Sequence, residues 1–308
     1  MSKFINPFTD YGFKLIFGRE VSKILLIEFL NDLLEGERVI TDLTFLNNEQ
    51  LPDYPEGRGI IYDVYCTTDT GEKIIVEMQN RMQSNFKERS IFYLSRAIVN
   101  QGRTGHDWKF EIKAVYGVFL MNFIMDKNIK LRTDVILADK ETGELFSEKF
   151  RQIFIALPLF KKSEEECETN FERWIYILNN METLKRLPFK ARKAVFEKLE
   201  EIADVASMSP KERELYDNSV KVYRDYLVTM DAAEKEGIKK GMEEGLKEGM
   251  KEGLKKGLEE GLEEGLKKGR EEALNIFQTA IDMKKQGIDN QLIAEKTGLP
   301  LSLIESLK

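Results

Sequence analysis

The sequence predicts an α/β fold for its first half, in the order helix, three strands, helix, strand, followed by a helical region and a long glycine-rich helix. Three observations carry this reading. β-Branched runs of strand length alternate with helical periodicity up to residue 120; a helical apolar pattern dominates 163–236; and a four-residue glycine repeat begins at Gly237. Residues 21–34 place Ile24, Leu25, Ile27, Phe29, Leu30, Leu33 and Leu34 at helical spacing and stop at Gly36. Residues 39–46, 60–67 and 73–79 read as strands, 86–101 as a helix ending near Gly102, and 112–120 as a further strand. Strand-like pieces at 129–137 and 153–156 extend the sheet, and Trp174, Ile175, Ile177 and Leu178 form a stripe that reads as core packing. The expected organisation is a first domain over 1–162, a helical region over 163–236, a repeat helix over 237–271 and a small helical hairpin over 272–308.

In the repeat, glycines fall at 237, 241, 245, 249, 253, 257, 261, 265 and 269, the first eight each followed by an apolar residue, from Ile238 to Leu266. A four-residue step advances about 400° on a helix, so the apolar stripe drifts by about 40° per repeat, and a period above 3.6 favours right-handed crossing with a partner helix. Each glycine costs roughly 1 kcal/mol relative to alanine. Pairs such as Glu243–Lys247 and Glu263–Lys267 return about 0.2–0.5 kcal/mol each. The segment is therefore expected to self-associate as a coiled-coil-like helix with close backbone packing, or else to behave as an expanded linker. Beyond it, 272–308 breaks at Gly287 and Gly298. The stretch Ile293-Ala294-Glu295-Lys296-Thr297-Gly298-Leu299 resembles a helix-turn-helix element without a strongly basic recognition helix, which favours packing or dimerisation over base reading.

The chemically informative residues are Asp63, Glu77 and Gln79, each inside an otherwise apolar strand-like run. A carboxylate in such a run needs something to offset its desolvation, and two on one hairpin suit a hard divalent cation. The loop between the runs decides whether they can meet. A two-residue turn at Thr70-Gly71 sets Asp63 opposite Met78. A three-residue loop closed by Gly71 in a G1 bulge sets Asp63 opposite Glu77, and is the expected one. Gln79 then shares the face of Glu77, as do Ile61, Tyr65 and Ile75, while Ile74, Val76 and Met78 face the core. A hairpin with one solvated polar face accounts for the same alternation.

These residues, together with the opening stretch Asn6-Pro7-Phe8-Thr9-Asp10-Tyr11-Gly12-Phe13-Lys14-Leu15-Ile16-Phe17-Gly18, the run Val76 to Asn80, and Arg89 and Tyr93, resemble the Rpn (recombination-promoting nuclease, transposase-like) branch of the PD-(D/E)XK nuclease superfamily. The resemblance covers roughly 4–125. It implies a restriction-endonuclease-like core (αβββαβ, mixed sheet) and a metal-dependent DNA endonuclease of low sequence specificity that promotes recombination. Glu77-Met78-Gln79 stands where the wider superfamily has Glu-x-Lys. An amide can position water but carries no charge, so the cation must come from elsewhere: Lys14 is the first candidate and Arg89 the second. Lys73 is on the right face but about 13 Å along the strand.

The expected chemistry is hydrolysis of DNA phosphodiester bonds with Mg²⁺ or another divalent cation held by Asp63 and Glu77, and with Gln79 orienting the water. Asp10 is a possible further carboxylate or a helix-capping residue, and Arg89 and Tyr93 bind substrate. A metal that lowers the pKa of water removes the need for a histidine base, in keeping with a chain whose one histidine, His106, sits in a polar turn. The alternative is a non-catalytic oligomerising protein built on a decayed nuclease fold.

Composition narrows the setting. The net charge is −7 over 308 residues, awkward for binding polyanions, but much of the acidity lies in Glu164-Glu165-Glu166 and the repeats. Basic residues cluster at Lys185, Arg186, Lys190, Arg192 and Lys193 and along Lys87, Arg89, Arg96 and Arg103, where DNA is placed. Cys66 and Cys167 are too few for a disulfide framework or zinc site. The absence of a membrane-length apolar stretch and of a signal-peptide pattern at Met1-Ser2-Lys3-Phe4 predicts a cytoplasmic protein.

Overall fold

Strands that are apolar on both faces belong in the middle of a covered sheet, and two of them set the architecture. β5 (Lys73–Gln79) and β6 (Val115–Met121) are buried along nearly their whole length. They run parallel, joined by the crossover helix α3 (Phe86–Val99). In this computed structural model the described residues are 2–51, 59–103, 108–190 and 193–307; His106 and Arg192 lie outside them. The six-stranded sheet has the order β1-β4-β5-β6-β8-β7, with β1 Leu43–Phe45, β4 Val64–Thr68, β7 Arg132–Ala138 and β8 Leu145–Ala156. β6 and β8 are parallel and the remaining pairs antiparallel, so the sheet is mixed. A separate two-stranded ribbon pairs β2 (Glu49–Gln50) with β3 (Ile60–Ile61).

Each face of the sheet has its own cover. Val64, Cys66, Ile74, Val76, Met78, Val118 and Leu120 point to one side. There they meet α1 (Asp10–Phe17), α2 (Lys23–Leu33), α4 (Asn170–Asn180) and α5 (Val195–Ala203), through residues such as Phe17, Phe29, Trp174 and Phe196. Tyr65, Ile75, Phe119 and Phe154 point to the other side and are covered by Phe86, Leu94 and Ala97 of α3. Gly117 lets α3 settle: a Cβ there would lie 2.5 Å from Leu94 Cδ1. The stripe Trp174–Leu178 is core, as the spacing predicts, and the Trp174 indole N–H donates to Asp32 Oδ2 at 2.9 Å.

Where the elements depart from the sequence-based expectations, side chains have captured backbone groups. The strand expected over 39–46 shortens to β1 because both backbone groups of Ile40 bond to the Asn31 amide, at 2.7 and 2.9 Å. The strand expected over 60–67 divides into β3 and β4 at Tyr62-Asp63, where Tyr62 N–H donates to Asn48 O (3.0 Å) and Asn48 Nδ2 to Asp63 O (2.9 Å). Ile61 consequently turns out to solvent, 65% exposed. The piece expected at 153–156 is only the buried end of the twelve-residue β8.

By contacts the chain forms two units, Met1–Leu227 and Val228–Lys308. Helix α6 (Pro210–Lys285) contributes Tyr216 and Val220 to the core of the first. In the second, the end of α6 packs with α7 (Asn290–Thr297) and α8 (Leu301–Ser306) through Ala280, Ile293 and Ile304, with the expected breaks at Gly287 and Gly298. The repeat is helical throughout. Its i,i+4 ion pairs include Glu236–Lys240 at 2.6 Å and Glu264–Lys268 at 2.9 Å, rather than the Glu243–Lys247 and Glu263–Lys267 pairs expected. Met242 to Leu266 of the apolar stripe are 62–73% exposed, and a Cβ on any repeat glycine meets open space within the chain. No helix among the described residues is long and apolar enough to cross a membrane. Gly249→Ala should therefore stabilise the helix by about 1 kcal/mol, read as higher melting of the 222 nm ellipticity; a lower melting temperature would mean that the glycines serve close helix contact.

Candidate active site

The β4–β5 hairpin brings the acidic residues together through the geometry of its loop. Gly71 adopts a positive φ of +92° and donates its N–H to Thr68 O at 3.0 Å, while Thr68 N–H donates to Glu72 O at 2.9 Å. Only glycine takes this conformation without strain, and it is the three-residue loop with a G1 bulge that the sequence predicts. Val64 pairs with Val76 and Thr67 with Lys73. One further step along that register sets Asp63 opposite Glu77.

The interruption of the strand at Asp63 frees its backbone for the site. Its N–H donates to Glu77 Oε1 at 3.1 Å, and its own Oδ2 accepts Met78 N–H at 2.9 Å. The two carboxyl groups thus hold each other's strands in place. Gln79 continues the line: Nε2 donates to Glu77 Oε2 at 3.0 Å, and Oε1 accepts Arg89 Nη2 at 2.5 Å. Arg89 also donates to Gln83 at 2.7 Å, and its guanidinium lies 5.6 Å from the Tyr93 ring centre. Tyr93 meets Tyr62 edge-on at 5.4 Å, and its carbonyl accepts the Tyr62 hydroxyl.

Electrostatics make this pair costly in the absence of a cation. Glu77 is only 3% exposed. Burial and then the charge of Asp63 push its carboxyl up to about 8, against the pull of Asp63 N–H, Arg89 and Gln79. Asp63 is raised as well, chiefly by burial; Met78 N–H, Lys14 and Arg89 lower it, and Asp10 raises it. Lys14 and Asp10 therefore act on the pair from α1, where they form a mutual ion pair at 2.7 Å. The N-cap is Thr9, whose hydroxyl accepts Gly12 N–H at 3.0 Å, so Asp10 is not a capping residue. Among the described residues no three His, Cys, Asp or Glu side chains gather closely enough to share an ion.

The structure adds residues that the sequence reading does not single out. Asn122 N–H donates to Gln79 O at 2.8 Å, and Asn122 Nδ2 to the Tyr223 hydroxyl at 3.3 Å. Tyr226 donates to Asn80 O at 2.9 Å, and Asn80 Nδ2 to Phe8 O at 2.6 Å. Tyr216 and Ser219 hold the backbone of Asn6 and Tyr11. The signal for this clamp is the spacing of Tyr216, Ser219, Tyr223 and Tyr226, which puts them on one face of α6. By contrast, the basic cluster expected to take DNA is largely neutralised: Lys193 pairs with Glu28 and Asp32, Lys190 with Glu200 and Arg186 with Glu164.

A family model for the PD-(D/E)XK nuclease family transposase matches residues 7–233. The chain belongs to that family. The match runs from the opening signature through the sheet to the first turns of α6, so the tyrosine clamp lies within it. The α/β architecture with its mixed sheet fits the PD-(D/E)XK fold, and membership gives the chain a nuclease- or transposase-like function. No curated protein and no solved structure matches it.

Because the folded chain holds the Glu77 proton more tightly than the unfolded chain does, stability of the metal-free protein falls as pH rises from the ordinary carboxylate range toward 8, and levels off above it. Glu77→Gln should flatten this dependence, raising the melting temperature in a chelator at pH 8.5 and changing it little at pH 4.5. Parallel wild-type and variant curves would contradict the assignment.

Proposed function

We propose that the chain is a divalent-metal-dependent DNA endonuclease, hydrolysing phosphodiester bonds with low sequence preference and thereby promoting recombination. The observation that carries this reading is the buried, directly opposed Asp63–Glu77 pair, which can ionise together near neutral pH only beside a positive partner. The donor set fits Mg²⁺: it is all oxygen, and this ion is commonly held by one or two carboxylates plus water and substrate phosphate. Asp63 Oδ1 accepts no hydrogen bond among the described residues, leaving it available to a ligand.

In this reading Asp63 and Glu77 hold the ion, which when bound polarises the scissile phosphate and lowers the pKa of the attacking water. Gln79 fixes the Glu77 carboxylate and connects it to the Arg89 charge, so its amide sets the geometry around the water. Lys14 supplies the positive charge that a lysine at position 79 would bring, and Asp10 holds its ammonium near Asp63. Arg89 and Tyr93, on the exposed side of the same cluster, contact the substrate backbone. Low sequence preference is supported by α7, whose charged residues Glu295 and Lys296 balance and offer no basic reading face.

The exposed apolar stripe of the repeat supports homo-oligomerisation through α6, and with it the second reading, a non-catalytic assembly protein. Plasmid nicking in Mg²⁺ separates the two. Wild type should nick, a chelator should abolish the activity, and Asp63→Asn should lower the rate by roughly 10²–10³-fold, the equivalent of several kcal/mol of lost transition-state stabilisation. Lys14→Gln should fall between them. Equal nicking by wild type and Asp63→Asn would remove the mechanism; no nicking by either, with a concentration-dependent oligomer, would favour the assembly reading.

A further inference from the structure

At the opposite end of β5 from the carboxylates lies a cavity of about 990 Å³ whose chemistry the site above does not use. It forms where β5 and β6 begin, alongside Lys149 of β8 and beside the C-terminal end of α3. Four cations line it: Lys73, Arg103, Lys113 and Lys149, against one carboxylate, Glu111. Elsewhere in this unit basic side chains such as Lys87, Arg132, Arg151, Lys190 and Lys193 are ion-paired. None of these four has an acidic partner among the described residues. Lys73 is partly buried, and that desolvation lowers its pKa with no carboxylate to offset it. An unpaired ammonium in such a position is stabilised by an incoming anion.

Two aromatic rings complete the lining. Trp108 and Phe110 lie 4.7 Å apart between ring centres at 38°. Phe110 is 77% exposed and adopts φ +58°, unusual for a residue with a Cβ. A half-buried and an exposed ring beside unpaired cations form the combination that binds unpaired nucleic acid: bases stack on the rings while phosphates track the charges. A duplex, with its bases already stacked on each other, would use only the cations.

We propose that this cavity is a binding site for a single-stranded nucleic-acid segment, with bases on Trp108 and Phe110 and phosphates on Lys73, Arg103, Lys113 and Lys149. Lys73 and Glu77 share a face of β5, about 13 Å apart along the strand, equivalent to about four nucleotides at duplex rise. The enzyme would thus favour DNA with an unpaired stretch near the cut, such as a flap or branch. The inference rests on the proposed function for the identity of the polymer, but not on the metal chemistry.

The chain has two tryptophans, and Trp174 is fully buried on Asp32, so fluorescence that responds to ligand reports Trp108. The experiment titrates oligothymidylate of about 12 nucleotides into the full-length Asp63→Asn protein in chelator, where no cleavage can occur. Matched duplex and polyglutamate are the controls. The expected result is quenching by the single strand, at least severalfold weaker binding of duplex, and no response to polyglutamate. Trp108→Phe should abolish the quenching, and Phe110→Ala should weaken binding of labelled oligonucleotide by about tenfold, in line with 1–3 kcal/mol per stacked base. Lys113→Ala and Lys149→Ala should lower the salt dependence. Absence of quenching, equal affinity for duplex, an equal response to polyglutamate, or unchanged affinity in Phe110→Ala would each overturn the proposal. Binding without nicking by the wild type would leave this site standing while removing the catalytic reading.

Discussion

Two carboxyl groups taken out of water side by side are the constraint around which the rest of this structure is arranged. Asp63 and Glu77 repel each other and are both desolvated, so the fold must hold them where neither can turn away. It does so by making each a hydrogen-bond acceptor for the other's strand. The requirement explains the divided strand at Tyr62-Asp63: in a regular ladder Asp63, like Tyr65, would turn its backbone groups to the β1 side, away from β5 and out of reach of the Glu77 carboxylate. It also explains the Gln79–Arg89 connection, which places positive charge next to Glu77 without a second buried ion of its own.

The supporting layers serve the same end. α1 carries the Asp10–Lys14 pair to the edge of the site, anchored by the Thr9 cap. The first turns of α6 reach across from residues more than a hundred positions later and fix the backbone carbonyls of Gln79 and Asn80, Tyr226 directly at Asn80 O and Tyr223 through Asn122 at Gln79 O. Asn80 Oδ1 remains a buried acceptor with no partner among the described residues, so the loop after β5 is held through its other groups. Such bonds, set on packed helices, position a site more tightly than loops do.

Much of this was legible in the sequence because it is local. The G1 loop at Gly71 settles a parity question within a dozen residues, and parity alone decides whether Asp63 and Glu77 share a face. The apolar stripe around Trp174 and the glycine breaks at 287 and 298 were readable for the same reason. What the sequence hides depends on partners distant along the chain. Ile40 leaves its strand because of Asn31, and Lys193 is neutralised by Glu28 and Asp32. A basic run shows that charge is present, but not whether the fold already cancels it. Conversely, Lys73, Lys113 and Lys149 look unremarkable in sequence and become a cluster only because the starts of β5 and β6 lie beside Lys149 of β8.

The central claim is that the Asp63–Glu77 pair is kept for a divalent cation, and calorimetric titration of Mg²⁺ into the metal-free protein tests it most directly. Because burial and the charge of Asp63 push the Glu77 carboxyl up to about 8, binding of an ion near neutral pH should release protons, seen as a heat that varies with the ionisation enthalpy of the buffer. Asp63→Asn should abolish both the binding and the proton release. Binding that is unchanged in Asp63→Asn, or a wild-type protein that takes up no ion, would contradict the account.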